Sequence, residues 1–246
     1  MLKKVVFLGS KPIGYQCFQY LIAQKDILEV EIAGLLTQAR KEFSGDSDLV
    51  ALAEQLDIPV LQNLDELPEV DILYLVQYHQ ILKQQHIDKA QQIAVNLHMA
   101  PLPEYRGSNQ FSFAILDEKN EFGTTIHKID SRIDHGAILF DKRFAIPEHC
   151  WVNELYQLTF DASLILFKQT LSSIVNGRYL EMPQSVLVDK HGTSLHFRDE
   201  AASIKQIDLS WDKEKIERHI RATSMPGFEP PYTIIDGEKV YFTKHP

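Results

Sequence analysis

The sequence predicts an α/β protein with a mainly parallel sheet flanked by helices and a small C-terminal subdomain of α+β type that ends in a hairpin. Short apolar runs alternate with amphipathic stretches in the first half of the chain, which is typical of strands joined by crossover helices. The 246 residues are 44% hydrophobic, so the chain can bury a substantial core. After about residue 178 the apolar density falls, which indicates a smaller unit there.

The first half predicts a Rossmann-like order of elements. Apolar runs predict four strands, near 4–8, 30–36, 70–76 and 93–97. Apolar residues at helical spacing predict three intervening helices, over 14–24, 47–56 and, with a weaker pattern, 79–90. Ser47 is the candidate N-cap of the second helix, because its hydroxyl can accept a hydrogen bond from the first helical amides.

After His98 the pattern changes to shorter elements and one long helix. It predicts a proline-bearing loop over 99–107, a helix over 109–116, and strands over 123–129 and 137–146. The longest helix is predicted over 152–175. The tail predicts a helix and a hairpin, over 212–222 and 232–242. We therefore predict two units, residues 1–178 and residues 179–246.

Charge and cysteine content restrict the partners and the compartment. The chain has 25 Lys and Arg against 34 Asp and Glu, a formal net charge of −9, which disfavours binding to a nucleic-acid backbone. Cys17 and Cys150 belong to no paired thiol motif, as expected in a reducing compartment. The start is too short for a secretion signal, and no apolar segment has the length of a membrane span. We expect a cytoplasmic protein with no membrane or nucleic-acid partner.

The histidines do not indicate a metal site. His191 and His196 have the spacing closest to that of metal ligands, but no acidic or cysteine partner accompanies them in a known pattern. We predict a solvated hairpin around these two residues and no bound metal.

Asn96 and His98 are the first candidates for catalysis. They stand two apart at the end of a predicted strand, so their side chains point to the same side, and open parallel sheets bind ligands beyond the carboxyl ends of their strands. A donating amide beside an imidazole suits a reaction in which a carbonyl oxygen becomes negatively charged, as in acyl transfer. Taken alone, the pair is equally compatible with a turn former and a satisfied polar group.

A second segment, residues 123–136, adds a carboxylate. It reads Gly-Thr-Thr-Ile-His-Lys-Ile-Asp-Ser-Arg-Ile-Asp-His-Gly, an alternating strand followed by a polar loop that ends in glycine. A carboxylate in this loop is able to orient His98 and to raise its affinity for a proton.

These residues resemble the fingerprint of the formyltransferases that use N10-formyltetrahydrofolate. That fingerprint combines an Asn-x-His strand end, a Leu-Pro-x-Tyr-Arg-Gly loop, and an Asp-containing loop after a Gly-x-Thr strand. The three parts stand here at 96–98, 102–107 and 123–136, and their order and spacing match over about the first 180 residues. The resemblance implies the formyltransferase fold, with residues 1–178 as the catalytic domain.

The resemblance also implies the catalytic roles. Asn96 stabilises the developing oxyanion, and His98 acts as a proton donor or electrophilic aid. Asp134 tunes His98 and assists proton removal through water. These implied roles agree with the chemistry that the residue types of the two segments support.

The resemblance further implies that the co-substrate, N10-formyltetrahydrofolate, places its pterin between the loops at 77–82 and 130–134. The implied contacts are Gln77, Tyr78, His79, Ile81, Leu82, Asp130, Ser131, Arg132 and Ile133. For Tyr78 and His79 the alternative is a strand-to-helix turn without ligand contact. The family's usual proline, serine and basic residue are replaced by Met99, Ala100 and Ser108, which leaves open the contacts of that loop to the folate tail or the acceptor.

Three amine acceptors are common among proteins with this fingerprint: glycinamide ribonucleotide, the methionine of initiator tRNA, and an amino sugar on a nucleoside diphosphate. The chain continues for about 70 residues beyond the long helix, unlike the compact glycinamide enzymes, and its acidity disfavours tRNA. The tail resembles the trimmed end of nucleotide-sugar formyltransferases. We therefore expect a nucleotide sugar, specifically a dTDP-4-amino-4,6-dideoxysugar, in the biosynthesis of lipopolysaccharide of the O-antigen type.

The resemblance places the turn at residues 9–14 beside the acceptor, so Ser10 and Lys11 are candidate substrate contacts. Tyr105, Arg106 and Gly107 are the other candidates, since arginine binds phosphate oxygens bidentately and an aromatic ring covers a sugar or base. Packing of this loop against the sheet is the alternative for Tyr105 and Arg106.

Two other classes of function remain open. A protein of this fold that holds a nucleotide sugar without turnover predicts binding without formyl transfer. An oxidoreductase predicts nicotinamide-dependent absorbance changes, but the glycines of residues 9–14 fit neither the dinucleotide nor the phosphate-loop fingerprint. We also expect a homodimer, because an exposed edge strand in the hairpin or tail invites pairing with its twin.

Overall fold

The computed structural model describes residues 2–38 and 48–243. In these residues the strands are β1 Lys3–Gly9, β2 Val30–Leu36, β3 Val60–Leu61, β4 Val70–Val76, β5 Ala90–His98, β6 Tyr105–Gly107, β7 Glu121–Lys128, β8 Ile138–Ala145, β9 Ser194–His196, β10 Tyr232–Ile235 and β11 Glu238–Tyr241. The helices are α1 Lys11–Gln24, α2 Leu49–Glu54, α3 Gln84–Ile87, α4 Gln110–Leu116, α5 Val152–Val175, α6 Ser185–His191, α7 Glu200–Ser203 and α8 Lys213–Thr223.

The main sheet runs in the order β3-β2-β1-β4-β5-β7-β8. Neighbouring strands from β3 to β5 are parallel, whereas β7 pairs antiparallel with both β5 and β8. β10 and β11 form an antiparallel hairpin, and β6 lies parallel to β9. The predicted mainly parallel α/β sheet and the C-terminal hairpin are therefore confirmed.

The central strands are apolar because both faces of the sheet are covered. On the face toward α1 and α5, Phe7 packs against Phe18 and Tyr74 packs against Phe167, with ring centroids 5.1 and 4.9 Å apart. Val6 points the opposite way and belongs to a second buried cluster, as the alternation of strand side chains requires. Polar side chains that serve a site therefore find room at the strand ends.

The first-half elements follow the predicted order, except that the two-residue strand β3 was not predicted and that residues 79–90 do not form one helix. That stretch contains only the short α3, and β5 begins at Ala90 because pairing with β4 continues to the Val70–Ala90 position. The N-cap of α2 is Asp48, whose carboxylate accepts hydrogen bonds of 3.0 and 3.1 Å from the amides of Val50 and Ala51. The predicted cap, Ser47, lies outside the described residues.

The C-terminal segment is joined to the main sheet and its helices. Met182 and Ile138 exchange backbone hydrogen bonds of 2.8 and 2.9 Å, and β9 lies beside β6. Helix α8 packs on α4, and the amide of Ile207 donates to the carbonyl of Tyr232 over 2.7 Å. This segment thus extends the packing of the first unit, and the division at residue 178 stays a prediction.

The prediction of a solvated hairpin around His191 and His196 is wrong. His191 ends α6, and its Nδ1 lies 3.3 Å from the Glu104 carboxylate. His196 ends β9, and its ring stacks on Phe113 with centroids 3.5 Å apart. The parallel pairing of β9 with the distant β6 decides this arrangement, which a local hydrophobic pattern does not report.

Two features are absent from residues 2–38 and 48–243. None of the helices there has both the length and the apolar content that crossing a membrane requires. No group of three or more His, Cys, Asp and Glu side chains in these ranges is arranged to hold a metal ion.

Candidate active site

The candidate catalytic residues meet at the carboxyl edge of the parallel strands. Strand order reverses between β1 and β4, and open α/β sheets bind ligands outside the carboxyl ends near such a point. Asn96 and His98 lie at the end of β5, beside β4. Because β7 pairs with β5 so that His127 stands opposite Asn96, the loop after β7 brings Asp134 to the same place.

His98 is 4% exposed, and both of its ring nitrogens face a partner. Nε2 lies 2.7 Å from the carbonyl oxygen of Tyr105. Since a carbonyl can only accept, Nε2 carries a hydrogen and donates it. Nδ1 is therefore the nitrogen with the lone pair in the neutral ring, and it lies 3.6 Å from Oδ2 of Asp134.

The loop between β7 and β8 holds Asp134 in one arrangement. Its φ of 45° lies in the left-handed region, which is costly for a residue with a Cβ. Oδ2 accepts a 2.9 Å hydrogen bond from the amide of Gly107. Gly136 lies so close to β7 that a Cβ would stand 1.9 Å from the carbonyl oxygen of Lys128, so only glycine fits there. The carboxylate position is thus determined by close backbone approaches on both sides.

Asn96, His127 and Asp134 form a second set of contacts. Nδ1 of His127 lies 2.8 Å from the Lys128 carbonyl, so it carries the hydrogen of the neutral ring and Nε2 presents a lone pair. Nδ2 of Asn96 lies 3.1 Å from that Nε2 and 3.3 Å from Oδ1 of Asp134, and these two acceptors are 3.4 Å apart. They subtend about 60° at the amide nitrogen, whereas its two N–H bonds diverge by about 120°. One N–H directed between the two acceptors can meet both, and in that orientation the second N–H stays available to a ligand.

The pKa of Asp134 is held well below the usual range of a carboxyl group. Burial alone raises the pKa. Attraction to the imidazolium forms of His98 and His127 lowers it by more, since a charged His127 can also donate from Nε2 to Oδ1, and the hydrogen bond from the Gly107 amide acts in the same direction. The group is therefore an ionised acceptor at neutral pH, and it retains a proton poorly.

Acid stability is expected to depend on Asp134. A carboxyl whose pKa is lower in the folded than in the unfolded chain stabilises the fold above the unfolded pKa, about 3.9, and this contribution is lost as the pH falls through the folded pKa. We expect the free energy of unfolding to fall more steeply below about pH 4 for the wild type than for Asp134→Asn. Urea unfolding followed by circular dichroism at a series of pH values measures both slopes, and equal slopes would contradict the prediction.

A cavity of about 770 Å³ opens beside Asn96 and Asp134, a size typical of small-molecule sites. Of the nine predicted folate contacts, seven line it: Tyr78, His79, Ile81, Leu82, Asp130, Arg132 and Ile133. Within the described ranges, the lining excludes Gln77, Ser131 and also His98, which lies behind Asp134. The two predicted loops thus face one cavity, and the candidate catalytic side chains that line it are Asn96 and Asp134.

Ser10, Lys11 and Gln77 form a separate contact where β1 and β4 end. Ser10 is 2% exposed, and its hydroxyl donates to the carbonyl of Gln77. Nζ of Lys11 donates to Oε1 of Gln77 over 2.8 Å. Lys11 and Gln77 have φ values of 62° and 54°, and such backbone strain is frequent at binding sites. These residues do not line the cavity in the described part of the chain, so a ligand group that binds here lies outside it.

The ring of Tyr105 belongs to the core. It is 2% exposed, its centroid lies 5.8 Å from that of Phe122, and its hydroxyl donates to the Asp117 carboxylate over 2.8 Å. The ring therefore packs against the sheet, which was the alternative to a substrate contact. Nothing in its described surroundings supports a contact between this ring and a sugar or base. The backbone of this loop serves the site instead, because the Tyr105 carbonyl holds His98 and the Gly107 amide holds Asp134.

Tyr105→Phe is expected to lower the free energy of unfolding by about 1.5 kcal/mol, because it removes a hydrogen bond to a charged group. The kinetic constants are expected to remain within about twofold of wild type, because His98 depends on the backbone of residue 105 rather than on its hydroxyl. Urea unfolding and steady-state kinetics measure the two effects. A marked rise in the KM of the acceptor with unchanged stability would restore the ring to the substrate site.

Three parts of the site were not predicted. His127 lies two residues beyond Thr125 on β7, and the alternation of that strand was a signal that could have identified it. Nε2 of Gln184 donates to the carbonyls of Asp134 and Gly136. Residues 196–199 line the far side of the cavity, and they reach it because β9 pairs with β6. The last two depend on tertiary contacts for which the sequence carried no signal.

Two of the residues at which the chain departs from the family fingerprint are structural. Met99 and Ala100 are 1% and 0% exposed, and the Ala100 carbonyl accepts a 2.9 Å hydrogen bond from the hydroxyl of Thr125. Ser108 lines the cavity. The departure that bears on ligand contact is therefore Ser108.

Comparison with known proteins gives a family match over most of the chain. A family described as Formyl transferase matches residues 4–171. The methionyl-tRNA formyltransferase of Staphylococcus epidermidis is 25% identical over 233 residues, which cover 91% of this chain and 74% of that relative.

Solved structures with the same fold include two N-formyltransferases. One is an N-formyltransferase from Helicobacter canadensis in complex with folinic acid and dTDP-3-aminofucose. It has a TM-score of 0.78 and 23% sequence identity, and the match covers 98% of this chain and 86% of that protein. The other is a sugar N-formyltransferase from a Shewanella species, with a TM-score of 0.80 and 20% sequence identity. That match covers 98% of this chain and 97% of the Shewanella protein.

Proposed function

Since this chain belongs to the formyl transferase family, we propose that it moves a formyl group from N10-formyltetrahydrofolate to the amine of a nucleotide-linked amino sugar. The observation that carries the proposal is the meeting of Asn96, His98 and Asp134 beside a cavity of about 770 Å³. These side chains supply an N–H donor, a base and a carboxylate, which are the groups that acyl transfer to an amine requires.

The cavity fits the formyl donor. Leu75, Leu82 and Ile133 give it apolar walls, and Asn96 and Asp134 place polar groups at one end, which suits a flat heterocycle with a reactive group at its edge. When bound, N10-formyltetrahydrofolate supplies the formyl carbon and takes up one proton at N10 as it leaves as tetrahydrofolate. The walls at residues 78–82 and 130–133 hold it against Asn96.

Asn96 stabilises the formyl oxygen as that oxygen becomes negative. Its amide shares one N–H between His127 and Asp134, so the second N–H is oriented before the reaction begins. Loss of one such donor typically lowers kcat by about 10²–10³. His127 supports this role of Asn96, because its Nε2 accepts a hydrogen bond from Nδ2 and so keeps the amide nitrogen, rather than the amide oxygen, turned toward His127 and Asp134.

Asp134 and His98 transfer the proton. The attacking amine forms the new C–N bond and loses one proton, while N10 gains one when its bond to the formyl carbon breaks, so protons balance overall. Asp134 accepts a hydrogen bond from the amine, but its low pKa makes it a poor place to keep a proton. Nδ1 of His98 lies 3.6 Å behind it, and an imidazole is a stronger base than such a carboxylate. We therefore assign His98 the role of final base: the proton passes from the amine to Asp134 and then to Nδ1 of His98.

A nucleotide-linked amino sugar is the acceptor class that we favour. The solved structures described above include sugar N-formyltransferases, one of them with a dTDP amino sugar bound, and the net charge of −9 opposes binding to tRNA. Ser10, Lys11, Arg106 and Gly107 are the proposed contacts, and a dTDP-4-amino-4,6-dideoxysugar for O-antigen assembly is the specific acceptor we propose.

Methionyl-tRNA is the second candidate acceptor, because a curated relative at 25% identity is a methionyl-tRNA formyltransferase. The test offers N10-formyltetrahydrofolate with dTDP-linked 3- and 4-amino sugars, charged initiator tRNA and glycinamide ribonucleotide, and measures tetrahydrofolate release. We expect turnover with a dTDP amino sugar and a background rate for Asn96→Ala. Turnover with tRNA alone would reassign the acceptor, and no turnover with any acceptor would overturn the function.

We further propose that the protein works in the cytoplasm as a homodimer. The hairpin β10–β11 exposes Ile234, Ile235, Val240 and Tyr241 to between 43% and 46%, and covering such side chains with a second copy would bury apolar surface. Light scattering on the purified chain tests this, and a monomer at micromolar concentration would contradict it.

A further inference from the structure

Gln184 holds the loop that carries Asp134 from outside the main sheet. It is 6% exposed and lies just before α6. Two residues earlier, Met182 is anchored by its two backbone hydrogen bonds with Ile138 of β8. The main chain at Gln184 is thus tied to the sheet at the point where the Asp134 loop joins β8.

The side-chain amide of Gln184 reaches both sides of Asp134. Nε2 donates to the carbonyl of Asp134 and to the carbonyl of Gly136, each over 2.9 Å. A side-chain amide nitrogen has two N–H groups, which is enough to supply one donor to each of these carbonyls. Neither carbonyl belongs to the β7–β8 ladder, because β8 begins at Ile138.

The turn needs such a clamp because its backbone is strained. Asp134 has a φ of 45°, a conformation that costs about 1–3 kcal/mol for a non-glycine residue unless its surroundings impose it. From that backbone position the carboxylate meets Gly107, His98 and Asn96. A change in the peptide planes around Asp134 would move both carboxylate oxygens away from their partners.

We propose that Gln184 is a positioning residue for Asp134, so that the segment after α5 completes the catalytic site. Gln184 touches no reacting atom in this proposal. It acts by fixing the two carbonyls that determine where the carboxylate stands. The kinetic part of the proposal rests on the proposed formyl transfer, whereas the geometric part does not.

The kinetic test compares Gln184→Leu in two backgrounds. Leu keeps the approximate volume and removes both N–H donors, and a misplacement near 1 Å lowers kcat by about 10²-fold. We expect that loss in the wild-type background, and less than about a threefold further loss in Asp134→Asn, because the residue that Gln184 positions is already disabled. Thr159→Val, which removes a buried hydrogen bond within α5, is the matched control and should keep wild-type kcat. Equal losses in both backgrounds would indicate a general scaffold role and overturn the proposal.

The second test needs no substrate. If Gln184 keeps Asp134 against its partners, Gln184→Leu should make the fall in the free energy of unfolding below about pH 4 less steep, and should shrink the difference in acid stability between chains with and without Asp134→Asn. This result separates the two hypotheses: if the wild type transfers formyl to no acceptor, the function fails, but the acid-unfolding comparison still decides the role of Gln184. An unchanged acid-unfolding curve for Gln184→Leu would overturn the proposal. If the Leu variant does not fold, Gln184→Met, with an unbranched side chain, takes its place in both tests.

Discussion

His98→Gln is expected to lower kcat for formyl transfer by about 10²–10⁴-fold, the usual contribution of a general acid or base. The Gln side-chain amide can keep the donation to the Tyr105 carbonyl that Nε2 makes, but it has no group that takes up a proton beside Asp134. Steady-state kinetics at saturating formyl donor measures the effect.

The choice of Gln separates proton transfer from structure. Because the donor to Tyr105 is retained, we expect a thermal midpoint within a few degrees of the wild type. His86, which is also buried but lies in α3, offers a matched control, and His86→Gln should keep wild-type kcat. If His98→Gln kept kcat within about threefold while remaining folded, His98 would have no part in the chemistry.

Asp134→Asn is expected to lower kcat by about 10²–10⁴-fold and to destabilise the protein as well. Oδ1 accepts from Asn96 and Oδ2 accepts from Gly107, so an amide in either orientation turns an NH₂ group toward a donor. A buried N–H donor that faces another donor instead of an acceptor costs about 1–3 kcal/mol. The charge that pairs with His98 is lost at the same time.

Kinetics and urea unfolding at neutral pH measure these two effects of Asp134→Asn. Asp161→Asn, on an exposed position of α5, removes the same charge from the chain and should change neither kcat nor stability appreciably. An Asp134→Asn variant with wild-type kcat would remove Asp134 from the mechanism. A variant that is as stable as the wild type would contradict the donor conflict described above.

The shared position of Asn96 and His98 was predictable because its signal is local in the chain. Asn96 and His98 stand two apart on a strand, which places both side chains on one side of it. The strand and helix order of the first half follows from apolar periodicity, and the error at residues 79–90 arose where pairing of β5 with β4 overrode a weak helical pattern. The long helix α5 begins and ends where its apolar spacing predicted.

The direction of each side chain was not predictable from the same signals. His98 was expected to donate to the reacting oxygen, but its Nε2 faces the Tyr105 carbonyl, a contact between a strand end and a loop that no periodicity reports. The Tyr105 ring was a candidate for sugar contact, but the hydrophobic effect and the bond to Asp117 keep it in the core. Composition at each of these positions allowed both outcomes.

The fold class, the order of the main elements and the identity of the three candidate catalytic residues could be read from the chain alone, because hydrophobic period and motif spacing are properties of local sequence. Three features followed from the folded structure: His127 orients Asn96, Gln184 clamps the Asp134 loop, and residues 196–199 wall the cavity. The physical reason is that each of these depends on a hydrogen bond or strand pairing between segments far apart in the chain, and such contacts form only after the sheet has brought the segments together.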